Sequence, residues 1–309
     1  MSTSPSIYFS VVIPCYCCAD CLDELQRQMT VALDSIGKTW EVVLVDDRSP
    51  KGDWEKIQAI HQRDPRFRGI QLSRNFGQHL AITAGLSEAQ GQYVAVMDCD
   101  LQDPPEVLPK MLEMAEAGNK VVLGRRQGKK HSPLRKTQAA VYSFLVRRLS
   151  GLRFDQSVGT LSVLHRQVVD GFNQFMDCDR HYLYILNWLG FDPTFYEYKH
   201  KERFSGKSSY SLVGLVRHAV SGLLFQTTVL LRYMIYLGFL ITIMGMSLAG
   251  YFVYLYMQNT PPAGWTSLVV IMLVLGGFTI ACLGVVGLYV GRIFYQVRQR
   301  PLFVIDKRV

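Results

Sequence analysis

The chain has 309 residues, 49% of them hydrophobic, with 33 Lys or Arg against 25 Asp or Glu and a formal net charge of +8. That length accommodates one soluble domain of about 230 residues and a short membrane segment. The positive excess suits an anionic membrane or phosphorylated ligands; with no RNA- or DNA-binding motif in the chain, nucleic acid is set aside as a partner.

The N-terminal stretch Met1 to Ser6 is short and polar and lacks the apolar core of a secretory signal, so the soluble part is expected to stay on the side of synthesis. Strands and helices then alternate. Strands are expected over Tyr8–Pro14, Trp40–Asp46, Phe67–Ser73, Gln92–Met97 and Lys120–Gly124, and helices over Asp20–Ser35, Asp53–Arg63, Gly77–Ala89 and Glu106–Ala117. Apolar runs flanked by amphipathic helices imply an α/β domain with a parallel sheet covered on both faces. Ligands of such sheets bind beyond the carboxyl ends of the strands. The chemically interesting residues fall there: Pro14-Cys15-Tyr16, Asp46-Asp47-Arg48-Ser49, Ser73-Arg74-Asn75-Phe76-Gly77 and Asp98-Cys99-Asp100. Each alone is ordinary turn chemistry; four at one edge point to a single site.

Two decoys fall away. No G-x-G-x-x-G follows the first strand, and Gly206-Lys207-Ser208 has Lys201 where a P-loop needs its leading glycine. Cys15, Cys17, Cys18 and Cys21 crowd seven residues, but no second cysteine pair completes a structural zinc site, so reduced thiols in a strand-to-helix turn are expected.

The run Asp98-Cys99-Asp100-Leu101-Gln102-Asp103-Pro104-Pro105 follows the apolar stretch Tyr93–Met97. Alternate residues of an extended chain point the same way. Asp98, Asp100 and Gln102 are therefore expected to converge, and their hard oxygens suit Mg²⁺ or Mn²⁺. Such an ion commonly bridges phosphates, which suggests a nucleotide-linked substrate.

Further along, Ala117 to Phe154 holds ten Lys or Arg and no acid. Within it, residues 132–151 interleave apolar and basic side chains in the manner of a helix lying on a membrane surface. From Tyr233 to Gly291 no charged residue or histidine occurs, and Gln258–Gly264 divides this stretch into two spans of about 233–257 and 267–291, each beyond the roughly 20 residues that cross a bilayer. Basic residues after the second span and an uncharged intervening loop place both ends in the cytoplasm.

These motifs together resemble one family. Val11-Val12-Ile13-Pro14-x-Tyr16, Val45-Asp46-Asp47-x-Ser49, Arg74–His79, Asp98–Pro105 and Glu202-Arg203-x-x-Gly206-x-Ser208-x-Tyr210, with the closing Tyr289–Phe294, look like family 2 glycosyltransferases. Among these the chain looks most like the membrane-anchored polyprenyl-phosphate type related to dolichol-phosphate mannose synthase. It departs from the usual pattern at Cys17-Cys18, where Asn-Glu is the rule, which puts base contacts in that loop in question.

The resemblance implies a GT-A, Rossmann-like catalytic domain over 1–210, a juxtamembrane helix over 211–231, a two-helix transmembrane hairpin over 232–292 and a cytoplasmic basic tail over 293–309. It implies inverting transfer of one sugar, UDP-glucose being the first choice of donor, to undecaprenyl phosphate at the cytoplasmic face of a bacterial inner membrane. The same reaction with a UDP-aminoarabinose derivative or GDP-mannose is the alternative, and a non-catalytic two-span membrane adaptor is the alternative of another class. By the same analogy Pro14, Tyr16, Asp46, Asp47, Ser49, Arg74 and Asp98 line the nucleotide-sugar pocket. Arg125, Arg126, Arg135 and Arg203 are candidates for the acceptor phosphate, because guanidinium forks suit phosphate oxygens. Asp155 matches a position proposed as base or acceptor organiser, and relatives form tetramers.

Overall fold

A computed structural model describes residues 7–127, 157–178, 180–199, 229–258 and 264–309. The chain divides into two compact units, one within 1–130, 155–208 and 299–309, the other within 131–154 and 209–298.

In the first unit eight strands form one sheet in the order β7-β5-β6-β4-β1-β2-β3-β8. β1 (Phe9–Cys15), β2 (Trp40–Asp46), β3 (Phe67–Leu72) and β4 (Tyr93–Val96) are mutually parallel, with β1 between β4 and β2. The helices between them are α1 (Ala19–Asp34), α2 (Asp53–Arg63) and α3 (Gln78–Glu88). These elements follow the expected order, and every residue of β1, β2 and β4 is buried.

The sheet is mixed, which corrects the expectation of a parallel one. β5 (Val121–Gln127) pairs antiparallel with β6 (Val158–His165), β6 antiparallel with β4, and β7 (Pro193–Lys199) parallel with β5. The reason is topological. Arg125 of β5 faces Val158 of β6, so the chain re-enters the sheet at the edge where β5 left it, and a strand entering from the carboxyl edge must run backwards. β8 (Ile305–Arg308) enters the same way beside β3. The segment expected as a basic tail thus contributes a strand.

Each face of the sheet carries its own core. On one, Phe9, Val11, Ile13 and Cys15 meet α1, α2 and α4 (Leu108–Glu116). On the other, Val12, Val43, Val45 and Ile70 meet α3, α5 (Arg166–Asn173) and α6 (Tyr182–Trp188). α1 shows how packing sets helix position. Its Cys18 N-cap makes no side-chain cap bond, yet Leu22, Leu25, Met29 and Leu33 are buried along one face. Each such side chain contributes about 1.5–3 kcal/mol, well above differences in helix propensity. At the sheet edge remote from the strands' carboxyl ends, buried Glu41 accepts the Ser10 hydroxyl (2.7 Å), the Gln90 N–H (2.8 Å) and Arg68 (2.9 Å).

The second unit holds α7 (Val229–Met257) and α8 (Trp265–Val297). Among the described residues one stretch, Leu275–Val297, is long and apolar enough to cross a membrane, with mean hydropathy 1.7; the apolar part of α7, Tyr233–Leu248, is shorter. The surface helix expected over 132–151 lies outside the described residues, as does the juxtamembrane helix over 211–231 apart from 229–231, which open α7.

α3 is buried from Ala81 to Leu86 and approaches the sheet at Gly85, where an added Cβ would come within 2.2 Å of Val12 Cγ1 and 3.0 Å of Val45 Cγ2. Gly85→Val is expected to destabilise the full chain by about 1–3 kcal/mol, several degrees of melting temperature in detergent, because α3 must lift from the sheet. An unchanged melting temperature would show that this contact is not tight.

Candidate active site

The loops that follow β1, β2, β3 and β4 leave the sheet at the same edge, and they are stitched together by buried carboxylates. After β1 the chain passes through half-exposed Tyr16 and then Cys17, whose φ is +58°. The Cys17 N–H donates to Ser49 Oγ (3.0 Å), and the N–H groups of Cys18 and Ala19 donate to the two oxygens of Asp53 (3.0 and 3.1 Å). Asp53, the first residue of α2, therefore supplies the N-terminal cap that α1 lacks.

After β2, Asp46 accepts the Ser49 N–H (2.9 Å) and the Gln71 amide (2.8 Å), while Asp47 accepts the N–H groups of Phe76 and Gly77 (2.7 and 2.8 Å). Burial raises both carboxyls above the ordinary aspartate range and these donors pull the other way. Asp47 thereby fixes the loop leaving β3, where the Arg74 guanidinium lies 4.2 Å from the centre of the Phe76 ring.

β4 ends at Val96, and Met97 donates one more bond to Val12 O (3.1 Å). Asp98, Asp100 and Gln102 then fall in a turn, with buried Leu101 at φ +58° between the last two. The extended backbone expected to align them is absent. Asp98 Oδ1 accepts from Gln78 Nε2 and Thr160 Oγ1, each at 2.8 Å. Burial pushes the Asp98 carboxyl up to about 7; the Thr160 bond opposes this, and the charges of Asp103 and Asp100 add to it. Asp100 accepts the N–H of Gln102 (3.2 Å). Among the described residues no three His, Cys, Asp or Glu side chains are grouped to hold a metal ion.

Asp103 is fully buried and accepts from the Tyr198 hydroxyl (2.6 Å) and Arg126 Nη2 (3.3 Å), while Arg126 Nε also donates to Tyr198 (3.3 Å). Gly159 lies against this guanidinium; a Cβ there would stand 2.7 Å from Nη2. Arg126 is thus engaged within the domain. Its neighbour Arg125 stacks on Phe195 at 4.1 Å and sits 3.8 Å from Glu197. Arg135, Asp155 and Arg203 lie outside the described residues. The structure brings Pro14, Tyr16, Asp46, Asp47, Ser49 and Asp98 to one edge, with Arg125 and Arg126 at the end of β5 on that edge.

Four participants escaped the sequence reading. Gln78 and Thr160 hold Asp98, Asp53 caps α1, and Tyr198 holds Asp103. An aspartate opening α2 was visible, but its partners lie 34 and 35 residues away. Cys99 supplies a fourth thiol neighbour to Cys15, Cys18 and Cys21, the Cys21 thiol donating to Cys99 O (3.1 Å) and Cys18 O (3.0 Å); Cys17 is exposed.

Comparison with known proteins gives this edge a context. The uncharacterized glycosyltransferase YkcC of Bacillus subtilis (strain 168) is 31% identical over 98% of this chain and 95% of its own length. An undecaprenyl-phosphate 4-deoxy-4-formamido-L-arabinose transferase of Salmonella paratyphi B is 33% identical over 96% of this chain and 92% of its own. Among solved structures, glucosyl-3-phosphoglycerate synthase from Mycobacterium tuberculosis in complex with phosphoglyceric acid superposes with a TM-score of 0.53 at 16% identity, covering 72% of this chain and 81% of that one. That likeness shows a shared GT-A-like fold. Residues 10–172, more than half of the chain, match Glycosyl transferase family 2, and the protein is a glycosyltransferase belonging to that family.

Proposed function

We propose that the chain transfers one sugar from a nucleotide-diphosphate sugar to a polyprenyl phosphate, undecaprenyl phosphate in a bacterium, at the cytoplasmic face of the inner membrane and with inversion of the anomeric carbon. The observation that carries this reading is buried Asp98 at the end of β4, within the field of Asp100 and at the same edge as the loops leaving β1 and β2. The relatives support it: the Salmonella protein is named for transfer to undecaprenyl phosphate, and the mycobacterial synthase has been solved with Mn²⁺ and UDP.

The carboxylate oxygens of Asp98 and Asp100 and the amide oxygen of Gln102 are of the kind a hard divalent cation takes, and Asp98 lies within the fields of Asp103 and Asp100. Bound there, Mg²⁺ or Mn²⁺ would offset the charge that grows on the departing nucleoside diphosphate. Two carboxylates and an amide are fewer ligands than either ion takes, so donor phosphate oxygens and water would have to supply the rest. Thr160 and Gln78 hold Asp98 in place for this. Asp46, Asp47 and Ser49 hold the loops that wall the nucleotide, Pro14 sets the floor where β1 ends, Tyr16 offers a ring face at the rim, and Arg74 faces the phosphates.

The acceptor is a phosphate monoester, already anionic near neutral pH, which needs less help from a base than a sugar hydroxyl does. It needs capture despite its charge. Arg125, Arg135 and Arg203 carry that role and Asp155 organises the acceptor; Arg126 acts from behind, through Asp103. A polyprenyl chain leaves a bilayer only at a high free-energy cost. The span Leu275–Val297, with a second over 233–257 completing a hairpin, keeps the catalytic domain beside its substrate. UDP-glucose is our first donor. The Salmonella relative favours a second reading, in which a UDP-linked 4-deoxy-4-formamido-arabinose takes its place.

Asp98→Ala and Asp100→Ala are each expected to lower transfer of radiolabelled sugar to undecaprenyl phosphate by about a hundredfold or more while leaving the melting temperature nearly unchanged. Near-normal turnover with metal present would remove the metal role. Because the protein offers too few ligands alone, Mn²⁺ without nucleotide is expected to shift the melting temperature little, and Mn²⁺ with UDP or GDP a good deal more than either component. A full shift with metal alone would point to an all-protein site. Arg203→Ala is expected to reduce turnover far more than Lys129→Ala, measured at saturating donor; equal small effects would remove Arg203 from the acceptor site.

A further inference from the structure

The loop that carries Asp47 and Ser49 is held from outside by the last strand of the chain. In β8 the antiparallel register with β3 slips: Gln71 faces Lys307 and Leu72 faces Ile305, so Asp306 is an extra residue without a partner. Such a bulge re-aims the side chain of the inserted residue. Asp306 turns its carboxylate onto Arg48, Oδ2 accepting from Nη1 at 2.7 Å. The same Nη1 donates to Gln71 Oε1 (3.2 Å), and the Gln71 amide donates in turn to Asp46 Oδ2 (2.8 Å). A continuous polar chain therefore runs from the C-terminal strand to Asp46 and, through the Ser49 N–H, to the loop leaving β1. Arg48 itself stands at φ +55°, a conformation that an arginine keeps only when its surroundings hold it. The strand is pinned independently by Val309 paired with Gly69 in both directions, by Ser73 N–H to Val304 O (2.9 Å) and by Arg308 to Glu88 (3.0 Å).

We propose that Asp306 is a positioning residue for the nucleotide-sugar site, and that the C-terminal strand works as a clamp on the loop Asp46–Ser49. The inference rests on the donor reading above and adds to it a requirement for the segment that follows the apolar helix α8. Seven residues, 298–304, separate the end of α8 from the strand. With Asp306 in place, Arg48 fixes which way the Gln71 amide points and keeps its N–H toward Asp46. Without it, Arg48 is released to solvent and the loop relaxes.

The test measures binding of UDP and GDP, each with Mn²⁺, to the full chain in detergent by calorimetry, alongside donor KM and kcat. Asp306→Ala is expected to weaken nucleotide binding and raise donor KM by about three- to fivefold, with kcat and the melting temperature nearly unchanged, as suits a half-exposed ion pair. Arg48→Asn should do the same, and Asp306→Glu, which keeps a carboxylate for Arg48, should retain most of the affinity. Wild-type affinity in Asp306→Ala, or a loss in Asp306→Glu as large as in Asp306→Ala, would overturn the clamp while the donor reading stands. Failure of the unmodified chain to bind either nucleotide would overturn both.

Discussion

The constraint on which this site depends is the unsatisfied backbone at the carboxyl edge of a parallel sheet. Each strand there must end and turn, and the N–H groups of the turns need acceptors. The protein supplies buried aspartates. Asp47 takes two N–H groups of the loop leaving β3, Asp53 takes two at the start of α1, and Asp46 takes one from its own loop and a glutamine from β3. Carboxylate bonds to N–H groups are stronger than neutral ones. In so buried a setting, leaving either partner unmet would be expensive. The loops are consequently defined relative to one another before any ligand arrives, as suits the proposed aiming of a donor at an acceptor.

The aspartates at the end of β4 divide between two duties. Asp103 is deep in the core and fully engaged by Tyr198 and Arg126, so its charge is compensated and it serves to anchor the turn. Asp98, one turn earlier, receives neutral donors from Gln78 and Thr160. Burial, with the charges of Asp103 and Asp100 added to it, pushes its carboxyl up to about 7. An apolar or fully paired residue would be more stable in that place. Under the proposed reading Asp98 is the ligand and Asp103 the support.

Much of this was legible in the chain. Val-rich runs closed by polar clusters gave β2 its limits at Trp40 and Asp46 and α2 its limits at Asp53 and Arg63, because local pattern and tertiary packing agree there. The later strands were not legible. β8 is the charged tetrapeptide Ile-Asp-Lys-Arg, which becomes a strand only because the edge of β3 is open to receive it. β7 reads as half-exposed alternation at the opposite edge. The direction of β6 depends on where the chain re-enters the sheet, which no window of residues encodes. At the site, the residue types of the Asp98–Gln102 segment were clear from sequence, but their geometry was not. A left-handed leucine is rare enough that no reading of propensity would place one at position 101.

That leucine belongs to a pattern. Among the described residues four that are not glycine have positive φ: Cys17, Arg48, Leu101 and Gln299. The first three each adjoin a residue assigned to the donor site: Cys17 follows Tyr16, Arg48 separates Asp47 from Ser49, and Leu101 separates Asp100 from Gln102. Backbone strain of this kind costs about 1–3 kcal/mol per residue and persists only where surrounding contacts over-determine it. Each of the three has such contacts: the bond from the Cys17 N–H to Ser49, the bonds from Arg48 to Asp306 and Gln71, and the burial of the Leu101 side chain in the core. Strain concentrated at the ends of β1, β2 and β4 and absorbed by that many anchors is hard to account for as packing alone. It is what a rigid, pre-shaped pocket for a diphosphate and its cation would demand.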